Sequence, residues 1–149
     1  MYSCVFFGHR RYNYTEHKEM IKKAIVGLIR EHNVTHFFSG NRGAFDYICV
    51  KILNDLKNDY RDLHITRVFS YIPQKAVYTE NFHFDDTLYL LERAVSPRYA
   101  IIETNKKMVE KADYILSGVT HDWGGAAMAI AYARKKHKPI VDLFGVLNR

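Results

Sequence analysis

Three short segments, each containing glycine, concentrate the residues of this 149-residue sequence that are suited to bind an anion. They are "GHRRY" (8–12), "SGNRGAFD" (39–46) and "THDWGG" (120–125). Glycine lets a backbone approach an anion closely, and the amides at the start of a helix point towards it. Arg10 and Arg42 add guanidinium groups, and each charge-assisted hydrogen bond contributes about 1.5–3 kcal/mol. The three segments together therefore predict a phosphate-binding site.

The candidate ligand-binding residues in these segments are small, positively charged, or able to donate hydrogen bonds, accept them or stack. They are Gly8, His9, Arg10, Ser39, Gly40, Asn41, Arg42, Gly43, Asp46, Thr120, Trp123, Gly124 and Gly125. None of the segments forms a Walker sequence or a GxGxxG fingerprint, so the spacing supports neither ATP hydrolysis nor ordinary dinucleotide binding. A glycine between a strand and a helix is required for backbone geometry alone in about half of cases.

Several side chains in these segments have two interpretations. Asp46 is suited either to bind a ribose hydroxyl or to cap the helix that follows it. His121 and Asp122 are suited to an acid–base step, although a solvated loop fits them at least as well. Trp123, the sole tryptophan, would stack on a base or ribose or pack in the core, with core packing slightly favoured. His9 is interpreted as a ligand-loop donor, and we predict no metal site, because no second His or Cys lies beside it at metal-ligand spacing.

Alternating strands and helices have to bring the three segments to one edge of the fold. Short apolar runs predict strands at 2–7, 34–40, 64–72, 113–119 and 140–144. Helical spacing of apolar residues predicts helices at 15–33, at 44–60, and from the glycine pair to about residue 136. This alternation implies right-handed crossovers and a sheet covered on both faces. We therefore predict an α/β fold, a Rossmann-like three-layer sandwich with a mostly parallel sheet of about five strands.

The predicted sheet places the three segments together, because each follows a strand and ligands bind beyond the carboxyl ends of parallel strands. One region, residues 74–103, has the length of a strand and a helix but shows neither period clearly. Phe82, Phe84 and Tyr89 in this region would either close a ligand pocket or anchor a long loop to the core.

The length and composition limit the classes of protein. With 48% hydrophobic and 26% charged residues, the 149-residue chain has the profile of one globular domain, which we place at 1–149. The longest apolar run, 126–133, is too short to cross a bilayer, and no secretory signal opens the sequence, so we expect a cytoplasmic protein with no membrane partner. Cys4 and Cys49 lie in apolar patterns and are predicted to be buried free thiols.

The net charge of +6 suits an anionic partner. Many of the lysines, however, fall at helical surface positions, namely Lys22, Lys23, Lys106, Lys107, Lys135 and Lys136. A solvated basic surface is therefore favoured over a nucleic-acid groove.

The order of these segments resembles the SLOG superfamily, which joins the DprA/Smf DNA-processing proteins with the LOG phosphoribohydrolases, and most of all its small YpsA-like bacterial branch. The resemblance covers nearly the whole chain, through "CVFFGHR", "SGNRGAFD" and "AIIETNKKMVEKADYILSGVTHDWGGAAMAIAYARKKHKPIVDL". It implies a Rossmann-like fold that binds a nucleotide or a nucleotide-derived ligand. The family carries an Arg-Asn pair ahead of the helix that contains "MV"; here Thr104 replaces the arginine and Asn105 remains as a further ligand-binding candidate.

The resemblance does not carry over a catalytic residue. LOG enzymes use a "PGGxGT" loop with a helix glutamate close behind, whereas this chain has Trp123 in place of the proline and no acidic residue from 125 to 134. Nucleoside deoxyribosyltransferases carry a glutamate nucleophile at the position of Ala129, and an alanine methyl can neither attack an anomeric carbon nor stabilise an oxocarbenium ion. The carboxylates left as catalytic candidates are Asp46, Glu103 and Asp122.

The leading hypothesis from the sequence is a nucleotide or ribose-phosphate binding protein that acts as a sensor or regulator and needs no cofactor. The first alternative is a nucleoside-phosphate N-glycosidase, related to LOG, with a displaced catalytic carboxylate. The second is a DNA-binding protein related to DprA. Because relatives often pair through helices beside the sheet, we also expect a homodimer.

Overall fold

A computed structural model of the chain describes residues 2–72 and 83–148. Within these ranges the strands are β1 (Tyr2–Gly8), β2 (Val34–Ser39), β3 (His64–Phe69), β4 (Asp86–Tyr89), β5 (Tyr114–Gly118) and β6 (Ile140–Asp142). The helices are α1 (Lys18–His32), α2 (Ala44–Leu56), α3 (Pro97–Lys111) and α4 (Gly125–Lys135), with 3-10 turns at Thr15–His17 and Val146–Asn148. Strands and helices therefore alternate along most of the chain, as the sequence predicts.

The strands form one parallel sheet in the order β4-β3-β2-β1-β5-β6. From the central β1 the chain moves outwards through β2, β3 and β4, and then returns to the other side of β1 for β5 and β6. The predicted Rossmann-like α/β fold is confirmed, and the described residues contribute six strands to the sheet where about five were predicted. The direction of the strand order reverses between β1 and β5, where open α/β sheets leave a crevice at their carboxyl ends.

The core lies in two layers, one on each face of the sheet. In β1, Cys4 and Phe6 pack on the face covered by α1 and α2, whereas Val5 and Phe7 pack on the face covered by α3 and α4. Because successive strand residues point to opposite faces, the unbroken apolar run from Cys4 to Phe7 is buried on both sides of the sheet. This produces the predicted three-layer sandwich.

Other predictions from the sequence are also tested by the structure. Helix α1 ends at His32 and is capped by Asn33, which adopts the left-handed conformation with φ 56° that often closes a helix. Cys4 and Cys49 are buried and free, as predicted. The third strand ends at Phe69 rather than at 72, and α2 ends at Leu56 rather than at 60. None of the helices that the structure describes is both long and apolar enough for a membrane span.

The region that the sequence left unassigned, 74–103, contains β4 and the beginning of α3. Strand β4 is a four-residue edge strand whose first two residues are exposed, so it lacks the apolar run that marks the inner strands. Helix α3 buries Ala100 and Thr104 as well as Met108 and Val109, so its core-facing side has little apolar periodicity. Ser96 and Pro97 at its start are favoured residues at these positions and were an available signal.

Phe84 and Tyr89, the candidates of this region that the structure describes, do not line the cleft described below. Phe84 packs against the core on the α1/α2 side, which corresponds to the second of the two interpretations. Tyr89 lies in β4, paired with Phe69, and does not line the cleft described below. Phe82 lies outside the described residues.

Candidate functional site

A cleft of about 550 Å³ opens at the carboxyl ends of the central strands, at the reversal between β1 and β5. Its volume is within the range of small-molecule sites, about 300–1,000 Å³. The lining includes many of the predicted ligand-binding residues, namely Gly8, His9, Arg10, Gly40, Arg42, Asp46, Asn105, Trp123, Gly124 and Gly125. The fold thus brings predicted residues from all three segments, together with Asn105 of α3, around a single cavity.

The aromatic ring of Phe45 shapes the end of β1 and β5. Gly8 and Gly118 are register partners in these strands, and a Cβ atom at either would lie 2.3 Å from an atom of the Phe45 side chain. Both glycines are therefore required by packing. Gly8 lines the cleft, but its lack of a side chain is explained by Phe45 without any ligand.

The first segment, 8–12, is held in place by Tyr14, a buried tyrosine that was not predicted from the sequence. The Tyr14 hydroxyl donates a hydrogen bond to the Gly118 carbonyl at 2.7 Å and accepts one from the His9 amide at 2.8 Å. Burial raises the pKa of this hydroxyl, so it remains a donor at neutral pH. Tyr14 therefore joins the loop after β1 to the end of β5. Its position among polar neighbours gave no sequence signal of burial.

The second segment, 39–46, is folded tightly against the first. Gly43 has φ 147°, and a Cβ atom there would lie 2.5 Å from the Arg10 Cα, so the position requires glycine on both grounds. The Ala44 amide donates to the Arg10 carbonyl at 3.0 Å, and the Asn41 amide donates to the Ser39 hydroxyl at 3.0 Å. Ser39, Asn41 and Gly43 do not line the cleft; they support the loop that carries Arg42.

The guanidinium of Arg42 is partly buried and is held by neutral partners. It donates to the Asn105 side-chain oxygen at 3.4 Å and to the Ser70 hydroxyl. Burial is the main cause of a lowered pKa at Arg42; nearby Arg10 also lowers this pKa, and Asp46 opposes the shift. The guanidinium nevertheless stays charged, as arginine does in proteins. Asn105 lies inside α3 rather than ahead of a helix, which corrects the placement taken from the resemblance. Ser70, which follows β3 at the same sheet edge, was not predicted.

Asp46 lies in the first turn of α2 and lines the cleft. Its carboxylate accepts a hydrogen bond from the Arg42 amide at 2.7 Å, and because Arg42 precedes the N-cap residue Gly43, this bond holds the loop ahead of the helix rather than capping the helix itself. Burial raises the pKa of Asp46 to about 6, although the Arg42 amide and guanidinium both oppose the shift. Among the described residues that line the cleft, Asp46 is the sole carboxylate.

The third segment, 120–125, leads into α4 with an open glycine pair. Gly124 has φ 97°, which explains this glycine by its conformation. A Cβ atom at Gly124 or Gly125 would meet no atom within 4 Å, so neither glycine is required by packing. Across the described residues, no side chain caps the first turn of α4. The first amides of a helix lack partners within the helix and carry a partial positive charge, so this end of α4 is suited to an anion.

Three rings form a continuous stack between the first and third segments. His9 lies parallel to His121 at 3.7 Å between ring centroids and 18° between planes, and His121 lies on Trp123 at 3.7 Å and 14°. The Thr120 amide donates to His9 Nε2 at 2.8 Å, so this nitrogen carries no proton and the imidazole is neutral. Burial, and then the neighbouring His121, lower the pKa of His9 and favour the same state. Trp123 is 68% exposed, so the prediction that favoured core packing is wrong.

The remaining candidates lie away from the cleft. Thr120 supports His9 through its amide without lining the cavity, and Asp122 is exposed on the loop. Glu103 lies on α3 beside a separate depression of about 350 Å³, where a carboxylate oxygen is 3.9 Å from Lys106 Nζ. Of the three catalytic candidates, only Asp46 therefore belongs to the cleft. Within residues 2–72 and 83–148, no group of three or more possible ligands is arranged for a metal ion.

The cleft also contains residues for which the sequence analysis made no prediction. Ile101 and Met108 reach it from α3, which was not assigned from sequence, and Arg11 and Ala126 reach it from the edges of the first and third segments. The site therefore combines arginine side chains and an uncapped helix start with apolar and aromatic walls. Such a lining can bind an anionic group at one end of a ligand and an apolar or planar group at the other.

No family model matches the chain, and no curated protein matches it. Solved structures do match. DNA processing protein A from Streptococcus pneumoniae aligns with a TM-score of 0.69 at 13% identity, over 94% of this chain and 49% of that one. DNA processing protein A from Helicobacter pylori, described for its single-stranded DNA binding mode, aligns with a TM-score of 0.61 at 17% identity, over 93% and 63%.

A third similar structure is the Moco carrier protein from Chlamydomonas reinhardtii, with a TM-score of 0.54 at 14% identity, over 95% of this chain and 75% of that one. The chain spans about half the length of the first of these proteins and less than two thirds of the second. At these identities the similarity establishes the fold. The chain thus shares its Rossmann-like architecture with DNA processing protein A and the Moco carrier protein.

Proposed function

We propose that this protein binds a nucleotide or a nucleotide-derived ligand, such as a ribose phosphate, in the cleft at the carboxyl edge of the sheet. The observation that carries the proposal is the Arg42 guanidinium, which lines the same cavity as the uncapped start of α4. Among the described residues, no carboxylate oxygen forms an ion pair with Arg42, which contacts the neutral groups of Ser70 and Asn105. A charge withdrawn from water is costly without a partner, so a bound anion would compensate it.

The glycine pair, which lines the same cleft, supports the same proposal. Gly125 is the first residue of α4 and has open space where a side chain would lie. Glycine at that point lets a phosphate approach the helix amides, whose partial charge of about +0.5 favours an anion. A ligand phosphate held between this helix start and Arg42 would have partners on two sides.

We further propose that the protein acts as a sensor or regulator and belongs to the YpsA-like branch of the SLOG superfamily. The sequence motifs and the shared fold with DNA processing protein A support the assignment. Ala129 of α4 occupies the position at which the deoxyribosyltransferases carry their nucleophile. It is 4% exposed and packs in the core between α4 and the sheet. The structure therefore has no carboxylate at that position to support the related reaction mechanism.

The test is isothermal titration calorimetry with a panel of nucleoside monophosphates, ribose 5-phosphate and inorganic phosphate. Gly125→Ala is expected to weaken binding at least tenfold, because the added methyl group occupies the space at the helix start. Gly27→Ala is the matched control, since Gly27 lies in α1, also with no atom within 4 Å of an added Cβ. Both variants are expected to fold, because alanine is favourable within a helix. No binding to any member of the panel would refute the proposal.

Arg10→Ala provides a second test, directed at charge rather than space. Arg10 is exposed and lines the cleft, so its loss is expected to weaken binding without unfolding the chain. Arg134→Ala removes the same charge from the last turn of α4, at the far end of that helix. Equal weakening by the two variants would show that net charge, and not the cleft, attracts the ligand.

One observation supports a second candidate function, an N-glycosidase that acts on nucleoside monophosphates. Asp46 lines the cleft with a pKa raised to about 6, so it holds a proton at mildly acidic pH and is able to donate it to a leaving base. Incubation with nucleoside monophosphates at pH 5.5, followed by chromatography for free base, tests this function. Turnover that is lost in Asp46→Asn would establish the hydrolase; absence of free base with wild-type protein would exclude it.

Nucleic-acid binding is a third class, supported by the fold shared with the DNA-binding Helicobacter protein and by the net charge of +6. Binding through phosphates falls steeply as salt rises. A gel shift with single-stranded DNA at low salt that disappears at higher salt would support this class, and no shift at low salt would remove it.

A further inference from the structure

The exposed indole of Trp123 is the end of a prearranged column of rings. The His121 ring stacks on the indole with 3.7 Å between ring centroids, and Trp123 is 68% exposed to solvent. Trp123 also lines the cleft. An aromatic ring exposed beside a cavity gains free energy when a ligand covers it, because its apolar surface is then removed from water.

The column is anchored at its inner end by hydrogen bonds rather than by the rings alone. His9 Nε2 accepts from the Thr120 amide at 2.8 Å, and the His9 amide donates to the Tyr14 hydroxyl at 2.8 Å. The ring of His9 is therefore fixed in both orientation and tautomer, and His121 and Trp123 stack on it in turn. A platform that is ordered before binding loses less entropy when a ligand arrives.

The position of the platform relates it to the anion site. Trp123 directly precedes Gly124 and Gly125, which open α4. A group stacked on the indole and a group bound at the helix start would thus be close neighbours within one ligand. The ribose of a mononucleotide separates its base from its phosphate by a similarly short linkage.

We propose that the ligand carries a planar nucleobase that stacks on Trp123 as the fourth ring of the column, while its phosphate binds at the start of α4 and Arg42. This inference rests on the proposed function and narrows it from ribose phosphates in general to ligands with a base. The exposed ring and its two supporting histidines carry it. Each stacked base contributes about 1–3 kcal/mol in nucleic-acid proteins, which corresponds to about 5- to 150-fold in affinity.

Fluorescence tests the inference directly, because Trp123 is the sole tryptophan of the chain. Adenosine and guanosine monophosphates are expected to quench its emission and to bind about 5- to 150-fold more tightly than ribose 5-phosphate measured by calorimetry. Trp123→Ala should reduce nucleotide affinity to that of ribose 5-phosphate, and Trp123→Phe should restore part of the difference. Tyr99→Ala is the control, since Tyr99 is 61% exposed and does not line the cleft.

The outcomes separate the inference from the proposed function. Ribose 5-phosphate that binds as tightly as the nucleotides, with unchanged affinity in Trp123→Ala, would overturn the inference and leave the proposed function intact. Nucleosides that quench Trp123 while no phosphate compound binds better than they do would support the platform and overturn the phosphate site. Absence of both quenching and heat would overturn both.

Discussion

Replacing the partly buried carboxylate of Asp46 with an amide is expected to stabilise the protein at neutral pH. Burial raises the pKa of Asp46 from its ordinary 3.8 to about 6. A shift of this size corresponds to about 3 kcal/mol of preference for the protonated form in the folded state. Asp46 lies in the first turn of α2, where the helix dipole stabilises its ionised form by up to about 1 kcal/mol. Asp46→Asn keeps an oxygen that can accept from the Arg42 amide, so we expect a net gain of about 2 kcal/mol at pH 8.

The pH dependence gives the prediction its sign. Between pH 3.8 and about 6 the unfolded chain loses the Asp46 proton before the folded chain does, so the stability of the wild type falls relative to the variant as pH rises. The advantage of Asp46→Asn should therefore be small near pH 4, grow up to about pH 6 and remain constant above about pH 7.

Urea unfolding followed by circular dichroism at pH 4.5 and pH 8 measures this difference. In thermal unfolding the gain corresponds to about 4–8 °C in Tm for a chain of this size. Asp55→Asn is the matched control, because Asp55 is exposed on the same helix and carries the same charge. If Asp46→Asn is no more stable than the wild type at pH 8, or if its gain in stability increases towards acid, the argument that ionised Asp46 destabilises the folded state is refuted.

Other predictions concern the loops that form the cleft. Tyr14→Phe should destabilise the fold by about 1–3 kcal/mol, because the His9 amide and the Gly118 carbonyl of β5 lose their hydrogen-bond partner. Tyr12→Phe is the control, since Tyr12 is exposed and the loss of its hydroxyl should change the stability little. Chemical unfolding of the two variants measures the difference. Gly43→Ala should be more destabilising than Gly145→Ala, since both have positive φ but only at Gly43 would a Cβ lie 2.5 Å from the backbone of the first segment. Equal losses in the two glycine variants would contradict the tight packing of the first two segments. Burial lowers the pKa of His9 below 6.5, so the stability that neutral His9 contributes is complete above pH 6.5 and is lost as the pH falls through the lowered pKa. His9→Gln keeps a hydrogen-bond acceptor but does not titrate, so the free energy of unfolding should decline less towards acid in this variant. An unchanged decline would refute the assignment of the pH dependence to His9.

Much of the fold was predictable because its signals are local. Apolar runs mark the inner strands, and helical spacing marks α1 and α2, so the alternation that defines a parallel α/β sheet is visible in the sequence. Strand β4 and helix α3 were not predicted from the sequence. Strand β4 is a short edge strand, and α3 buries Ala100 and Thr104 at positions where larger apolar residues would have indicated a helix. Ser96 and Pro97 at the start of α3 remained as its local signal.

The sequence by itself determined the three loops, their order and their common edge, because glycine placement and strand direction follow from local chemistry and topology. Only the tertiary structure decided what each side chain in those loops contacts. Arg42 is held by Ser70 and Asn105, 28 and 63 positions away in the chain, and the His9 ring accepts from an amide 111 positions away. Such contacts depend on which elements the folded core brings together, and no periodicity records them. Trp123 shows this most clearly. A tryptophan is equally suited to a buried core and to an exposed stacking surface, and only the folded structure shows that Trp123 is exposed and lines the cleft.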